Sequence, residues 1–326
     1  MYFDLDDEQR ALASAAADFL GSSASPAAAR AALEDTTAAV PPGRVDLVKS
    51  GFAAITVPEE HGGGGGTLLD LAVVAEQAGR VLAGPSLVTF ARAAVLLGDD
   101  PARLAGLADG GLAVAVSDGG PVLDAVGADR FLALQGDDVV LASGTVTQRA
   151  PIDPTRGLAD VALDDAEVVA AGAADLWERA LLVGRVILAA EGLGTAARAV
   201  EIGVEYTKQR HAFGRPIGSY QAVKHALVDA YVEVEQLRSL VWWAAWAAES
   251  SPDELPLAAN AAKGLAATAL ERAAETLIQV HGGIGFTWEH DAHLFWRRAK
   301  VDRLLLGDDV AAYDEVARLA LADAAR

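Results

Sequence analysis

Apolar positions change their spacing twice along this chain. Residues 4–20 carry apolar side chains at near-helical spacing behind an acidic start, which suits a helix and its dipole. A second apolar, helix-like run covers 68–82, whereas 111–168 contains short apolar runs separated by Gly and Asp, as in strands. From Asp175 onward helical spacing returns. It covers 176–207, 219–249, 254–280, 289–301 and 309–325.

This order predicts a mostly α protein with a small β module between two helical segments. We set the domains at 1–110 (N-terminal helical), 111–170 (β) and 171–326 (helical bundle). Gly and Pro breaks between the late helices favour an antiparallel bundle. No repeat of 20 to 50 residues is visible.

Five consecutive glycines, Gly62 to Gly66, are compatible with either a phosphate-binding loop or a tight structural turn. No Lys-Ser/Thr pair follows them, and no Gly-x-Gly-x-x-Gly pattern follows a buried strand. We therefore interpret the run as a flexible, close-packed turn.

The composition of the chain excludes several classes of function. A formal charge of -20 argues against broad nucleic-acid binding but leaves room for a local basic patch that holds one anionic cofactor. The absence of Cys excludes disulfides and thiolate metal sites. Charged residues interrupt every apolar run before membrane-spanning length, and the acidic start lacks the features of an export signal. We expect a soluble, cytoplasmic protein.

Metal binding is also not expected. His290 and His293 flank Asp291, but two histidines at this spacing without a further convergent ligand indicate a polar helix face. His211, His225 and His281 are interpreted as structural or supporting residues.

The first candidate site is the loop RHAFGRPI at 210–217. The planar fork of Arg210 can hold a pyrophosphate, Phe213 offers a flat surface, and the Gly-x-Pro sequence fixes a turn between helices. Taken alone, an ordinary loop with a solvated arginine explains it as well.

The second candidate site is the segment QVHGGIGFTWE at 279–289. Gly282 and Gly283 let a ligand approach the backbone, and Gln279 can donate and accept hydrogen bonds. A glycine-rich helix end is the alternative. Both motifs in one chain, with Gln221 eleven residues after Arg210, form a more specific joint signal.

The two motifs together resemble the flavin-binding signatures of the acyl-CoA dehydrogenase family. Family-like patterns also occur at 5–12 (LDDEQRAL) and 51–63 (GFAAITVPEEHGG). The resemblance implies an N-terminal helical domain, a middle β domain and a C-terminal four-helix bundle. It also implies that FAD binds across a subunit interface. The residues assigned to the partner's FAD by this resemblance are Arg210, Phe213, Gln221, Gln279, Gly282 and Gly283.

Two departures from the family pattern concern catalysis. The family removes the substrate α-proton with a Glu that usually precedes a Gly near the last helix, and here Leu306 stands there. Some relatives carry the Glu on an earlier helix before an Arg, and here that residue is Gly184. The β domain is shortened and keeps only VSDGGP at 116–121 in place of the family's flavin- and substrate-contacting run.

This combination resembles the base-lacking subunit of actinobacterial heterotetrameric acyl-CoA dehydrogenases. It implies no catalytic residue in this chain and an α2β2 partner that carries the Glu. It also implies an acyl-CoA substrate, with a steroid side-chain thioester as a further extension.

Two alternatives remain open. Asp308 or Asp309 could act as the base of a self-sufficient homo-oligomer, although an Asp at this place also caps a helix. The chain could instead be a flavin-free scaffold. The basic cluster 297–303 is interpreted as a solvated face or as a surface for phosphate or an acidic partner, and Trp242, Trp243 and Trp246 as packing residues.

Overall fold

A computed structural model describes residues 4–24, 26–35, 43–84, 86–98 and 100–324. The first three residues of the acidic start and residue 325 of the last predicted helix lie outside these ranges. The helices of the N-terminal part are α1 (Asp7–Ser23), α2 (Pro26–Glu34), α3 (Arg44–Lys49), α4 (Leu68–Arg80), α5 (Leu87–Leu97) and α6 (Pro101–Asp109). Those of the C-terminal part are α7 (Ala174–Gln209), α8 (Gln221–Ser250), α9 (Leu255–His281), α10 (Ala292–Asp302) and α11 (Asp309–Ala324).

Polar caps set the starts of the early helices. Asp6 accepts from the backbone N–H of Gln9 at 2.8 Å, and the Gln9 side chain accepts from Asp6 N–H in return. Thr67 and Asp70 form the same reciprocal capping box at α4. Each box satisfies two backbone donors that a helix start leaves free. The predicted helices at 4–20 and 68–82 are therefore confirmed within a few residues.

Between the two helical parts lies a four-stranded sheet in the order β1-β2-β3-β4. Its strands are β1 (Val114–Ser117), β2 (Arg130–Gln135), β3 (Asp138–Gln148) and β4 (Ala159–Ala170). β1 pairs parallel with β2, and the other pairs are antiparallel. The sequence pattern did not single out β4, because half of its side chains are exposed and it lacks an apolar run.

The C-terminal helices enclose the core. α7 packs against α8 and α9, and α9 also contacts α10 and α11. α7 is long and apolar enough to cross a membrane by composition, but 89% of its most apolar stretch is buried inside the protein, as expected for a core helix. The structure confirms a mostly α fold with a small sheet, while the three-domain division stays a prediction.

The glycine run forms a hydrogen-bonded turn. The N–H groups of Gly63 to Gly66 donate to backbone carbonyls of residues 54–58 at 2.8–3.1 Å. A Cβ on Gly63 would lie 2.1 Å from the carbonyl oxygen of Val57, so a side chain cannot fit there. Because these donors are used internally, they do not form a phosphate cradle.

Buried ion pairs join the sheet segment to the helices. The Arg156 guanidinium, fully buried, donates to Glu191 on α7 at 2.5 Å and to Asp302 on α10 at 2.6 and 2.9 Å. Arg298 on α10 donates to Asp153 at 2.6 Å. These contacts fix α10 against the loop between β3 and β4.

The interpretation of the basic cluster 297–303 as a solvated face was therefore wrong. Arg298 is buried, and Lys300 and Arg303 both pair with Glu271 on α9. The chain places these cations opposite acidic groups from distant segments, which the local sequence does not reveal.

Candidate functional site

A two-residue hairpin presents the first motif. β5 (His211–Ala212) pairs with β6 (Arg215–Pro216), with Phe213 and Gly214 at the turn. Both turn residues have positive φ, 53° and 79°, as a two-residue hairpin of this hand requires. Phe213 is 96% exposed. An aromatic side chain is thus held out from the surface on a backbone conformation that aromatic residues rarely adopt.

Contacts with the following segment hold the hairpin. The Tyr220 hydroxyl donates to the Ala212 carbonyl at 3.1 Å, and Ile217 N–H donates to the Arg210 carbonyl at 2.8 Å. The Arg215 guanidinium lies 4.0 Å from the centre of the Tyr220 ring. These contacts fix the hairpin backbone from which Phe213 projects.

An open groove of about 650 Å³ runs between this hairpin, the start of α8 and the end of α9. Both predicted motifs contribute to it, Phe213 from the hairpin and Gln279 from α9. The remaining lining residues are Ala212, Ile217, Tyr220, Ala222, Val223, Ala226, Glu275, Thr276 and Val280.

The other predicted residues lie around the groove. Arg210 ends α7 and Gln221 begins α8, and both are exposed. Gly282 and Gly283 lie in the short 3-10 turn after α9 and are also exposed. A Cβ on either glycine would meet no atom of a described residue within 4 Å, so these residues leave the space over this backbone open. An exposed guanidinium, an aromatic ring, an amide and open backbone fit a nucleotide's phosphates and ring.

A ring stack supports the end of α9 from inside. The buried His281 ring lies 3.9 Å from Tyr206 and 4.1 Å from His290, centre to centre. Its Nδ1 is 2.7 Å from the Leu277 carbonyl. Burial lowers the pKa of His281 below its usual value, which favours the neutral ring and a supporting role.

A second, inner cavity of about 820 Å³ lies between α5, the sheet, α7 and the segment after α10. Its walls are mostly apolar. They include Val88, Val116, Leu123, Leu158, Trp177, Leu181, Val301, Leu304, Leu305 and Leu306, with Arg92, Asp118, Arg185 and Lys300 among the charged residues.

Gly184 and Leu306 come together at this cavity. A Cβ on Gly184 would lie 3.0 Å from Leu306 Cδ1 and 2.7 Å from Arg92 Cδ. Gly184 and Leu306, more than a hundred residues apart in the sequence, are therefore neighbours in the fold. An aliphatic side chain and the stem of an arginine fill the space between them.

The carboxylates near this point are engaged. Asp118 accepts from both terminal nitrogens of Arg92 at 2.6 and 2.7 Å. Asp308 accepts from Ala311 N–H at 2.8 Å and so caps α11, and Asp309 accepts from Arg303 at 2.8 and 3.0 Å. The interpretation of Asp308 as a helix cap is confirmed. Asp309, the first residue of α11, instead pairs with Arg303.

Sequence reasoning assigned no site role to several residues of both cavities. Glu275 and Thr276 lie one turn before Gln279 on α9, so helical periodicity was the signal that could have placed them on the same face. Trp177 and Arg92 had no such signal, because the contacts that place them at the inner cavity join distant segments.

Comparison with known proteins identifies the family. The model for the acyl-CoA dehydrogenase C-terminal domain matches residues 174–323, and that for the N-terminal domain matches residues 6–100. Acyl-CoA dehydrogenase IpdE2 of Mycobacterium tuberculosis is 36% identical over 319 residues, covering 92% of this chain and 93% of that protein. The chain belongs to the acyl-CoA dehydrogenase family. FAD is the cofactor of this family, and FAD complexes occur among structures with this fold.

Two solved structures whose names pair two components have the same fold. A variant of the Tcur3481-Tcur3483 steroid ACAD matches with a TM-score of 0.85 and 26% identity, covering 98% of this chain and 99% of that one. The ChsE4-ChsE5 complex from Mycobacterium tuberculosis matches with a TM-score of 0.84 and 24% identity, covering 98% of each chain. This acyl-CoA dehydrogenase chain thus has heteromeric complexes among its structural neighbours.

Proposed function

We propose that this chain is a subunit of a heteromeric, FAD-dependent acyl-CoA dehydrogenase that lacks the catalytic base and completes the FAD site of a partner subunit. The observation that carries the proposal is the contrast between the two cavities. The outer groove brings together Phe213 and Gln279, two of the residues that the family resemblance assigns to FAD. The inner cavity is lined by Leu306, which packs against Gly184, and these are the two positions where the family keeps its Glu.

The outer groove supports a role in trans. Phe213 is almost fully exposed and Gly282 and Gly283 have free space above them. Ligands are normally buried for most of their surface. A groove this open therefore needs a second surface to enclose a cofactor, and a partner subunit would provide it.

The inner cavity supports the loss of the base. Among the described residues that line it, Asp118 is the one carboxylate, and Arg92 occupies both of its oxygens. A general base must lie within hydrogen-bond reach of the proton that it removes, and Asp118 is instead fixed in a bidentate pair with Arg92. Asp308 caps α11 and is not among the described lining residues, so the geometry does not favour the self-sufficient alternative.

In the assembled enzyme the partner's Glu would remove the α-proton of an acyl-CoA thioester. FAD supplies the hydride acceptor for the β-carbon. The role of this chain would be to bind and orient the cofactor: Arg210 would hold the pyrophosphate, and Phe213 and Gln279 would hold the nucleotide end. A steroid side-chain thioester is the proposed substrate class, supported by the steroid ACAD among the structural neighbours. A cytoplasmic location belongs to the same proposal, supported by a cysteine-free composition compatible with a reducing compartment.

Co-expression with the candidate partner and measurement of the flavin-to-protein ratio tests this function. We expect a colourless, inactive chain when it is purified alone and one FAD per pair of unlike chains in the complex. Arg210→Ala should lower flavin content in the complex, since a charge-assisted contact to phosphate is removed. Arg198→Ala, an exposed arginine on the same helix that pairs with Glu201, is the matched control and should retain flavin.

Three outcomes would contradict the proposal. A yellow, active product from this chain alone would show a complete site within one kind of subunit. Loss of turnover in Asp308→Asn with FAD retained would assign the base to Asp308. Unchanged flavin content after Arg210→Ala would instead favour a flavin-free scaffold.

A further inference from the structure

The inner cavity is large, and most of its wall is hydrocarbon. Its volume of about 820 Å³ lies within the range of sites for small organic ligands, which combine apolar walls with a few placed polar groups. The Arg92 stem and Leu306 block the point beside Gly184, but the rest of the cavity remains open between α5, α7 and the sheet.

Charge at this cavity is almost completely neutralised. Arg92 forms a bidentate pair with Asp118, at 2.6 and 2.7 Å. Lys300 pairs with Glu271 and lies 3.3 Å from Glu275. The charges of both cations are thus balanced by carboxylates, although the buried Arg92 Nε has no hydrogen-bond partner among the described residues.

Arg185 is the exception among the described lining residues. Its Nε donates to the Leu306 carbonyl at 2.9 Å and its Nη1 to Asn260 Oδ1 at 2.7 Å. Both acceptors are neutral, and no described carboxylate lies within ion-pair distance. The charges that act on it from farther away are those of Glu178, Glu315, Arg92 and Asp118. Arg185 thus keeps a positive charge at the edge of an apolar cavity, with no direct counter-ion in the part of the chain that the structure describes.

We propose that the inner cavity binds one amphipathic monocarboxylate, such as a long-chain or polycyclic carboxylic acid, with its carboxylate on Arg185 and its hydrocarbon body between Trp177, Leu181 and Leu158. A single guanidinium matches a single carboxylate and offers nothing to the further phosphates of a CoA ester or of FAD. This site is separate from the outer groove and does not depend on the proposed role there.

Fluorescence of cis-parinaric acid, a fatty acid that accepts energy from tryptophan, measures this binding on the full chain, alone and in the assembled enzyme. We expect one saturable site per chain, with energy transfer from Trp177. Palmitate should displace the probe, whereas methyl palmitate and palmitoyl-CoA should compete about 10- to 100-fold less well, because each lacks the single carboxylate that pairs with the guanidinium.

Two variants locate the site. Arg185→Gln should weaken palmitate about 10- to 100-fold and leave methyl palmitate nearly unchanged. Leu181→Trp places an indole ring in the space proposed for the hydrocarbon body and should weaken the binding of both. Arg179→Gln is the matched control, because Arg179 lies on the same helix and also donates to a backbone carbonyl, that of Ala248 at 3.1 Å. Circular dichroism checks folding. If Arg185→Gln does not fold, Arg185→Lys is measured instead. This variant keeps the charge and should keep the preference for the acid.

Several results would overturn the proposal. They are tighter binding of palmitoyl-CoA than of palmitate, an equal loss of acid and ester in Arg185→Gln, unchanged binding in Leu181→Trp, and an absence of saturable probe binding. Flavin content of the complex is measured in parallel, so that failure here remains distinguishable from failure of the function proposed for the outer groove.

Discussion

The two cavities of this chain differ in how their charged groups are used. In the outer groove region Arg210 and Gln221 are exposed, and the backbone at Gly282 and Gly283 has open space beside it. Around the inner cavity, Arg92 is committed to Asp118, and Arg156 and Arg298 hold buried carboxylates just beyond the wall.

This difference indicates that the charged groups of the outer groove are available for binding, whereas those around the inner cavity stabilise the fold. Groups that face solvent without a partner cost little to keep free and are available to a ligand or another subunit. Buried charges must be paired, since an unpaired buried charge is strongly destabilising. Substitutions at the inner region should therefore change stability, and substitutions at the outer region should change ligand binding.

The largest effect is expected from Arg156→Met. The substitution leaves Glu191 and Asp302 buried without their cation, which should lower the free energy of unfolding by about 3–5 kcal/mol. Urea denaturation followed by circular dichroism measures it. The control is Arg149→Met, whose exposed ion pair with Asp160 at 2.5 Å should contribute less than about 1 kcal/mol. Equal losses in the two variants would contradict the distinction between a buried and an exposed pair.

A slightly smaller effect should appear as pH dependence at Asp124. Burial raises the pKa of Asp124 from 3.8 to about 6, although Ser86 N–H and Thr89 Oγ1 donate to it. Because the folded state holds this proton more tightly, its stabilising contribution is complete below pH 3.8 and is lost as the pH rises through about 6. The stability difference between Asp124→Asn and the wild type should change by about 3 kcal/mol across that window.

Denaturation series at several pH values provide the measurement for Asp124. Asp124 has a φ of 57°, a left-handed conformation that Asn tolerates. Asp165→Asn, exposed and with a φ of 46°, controls for the substitution itself. A pH-independent difference for Asp124→Asn would show that this carboxyl titrates equally in the folded and unfolded chain.

The smallest effect, and the sharpest comparison, comes from two glycines. Gly184→Ala places a methyl group 2.7 Å from Arg92 Cδ and should destabilise the chain by about 1–3 kcal/mol through overpacking. Gly283→Ala meets no atom within 4 Å, and its unfolding free energy should change by less than about 0.5 kcal/mol. In the assembled complex, however, Gly283→Ala should lower flavin content while Gly184→Ala retains it. The reverse pattern would remove the distinction between the two regions.

Local sequence was sufficient for α1, α4 and the C-terminal helices, and for the turns at Gly62 to Gly66 and in the loop 210–217. Helical spacing acts over a few positions, and side-chain caps set the starts of α1 and α4. The local pattern missed the helices α5 and α6 and the strand β4, which has no apolar run on which a strand prediction could depend. The basic cluster 297–303 was misread for a related reason, since its partners Asp153 and Glu271 lie far away in the chain.

The sequence by itself determined the family-like motifs, the absence of a carboxylate at 184 and 306, and the mostly helical fold. Only the tertiary structure decided that Gly184 and Leu306 face each other, that Asp118 is held by Arg92, and that Arg185 lies beside an apolar cavity with no counter-ion among the described residues. The physical reason is the sequence separation over which each kind of interaction acts. Helix spacing and caps depend on residues three or four positions apart, whereas the environment of a charge depends on every segment that packs around it.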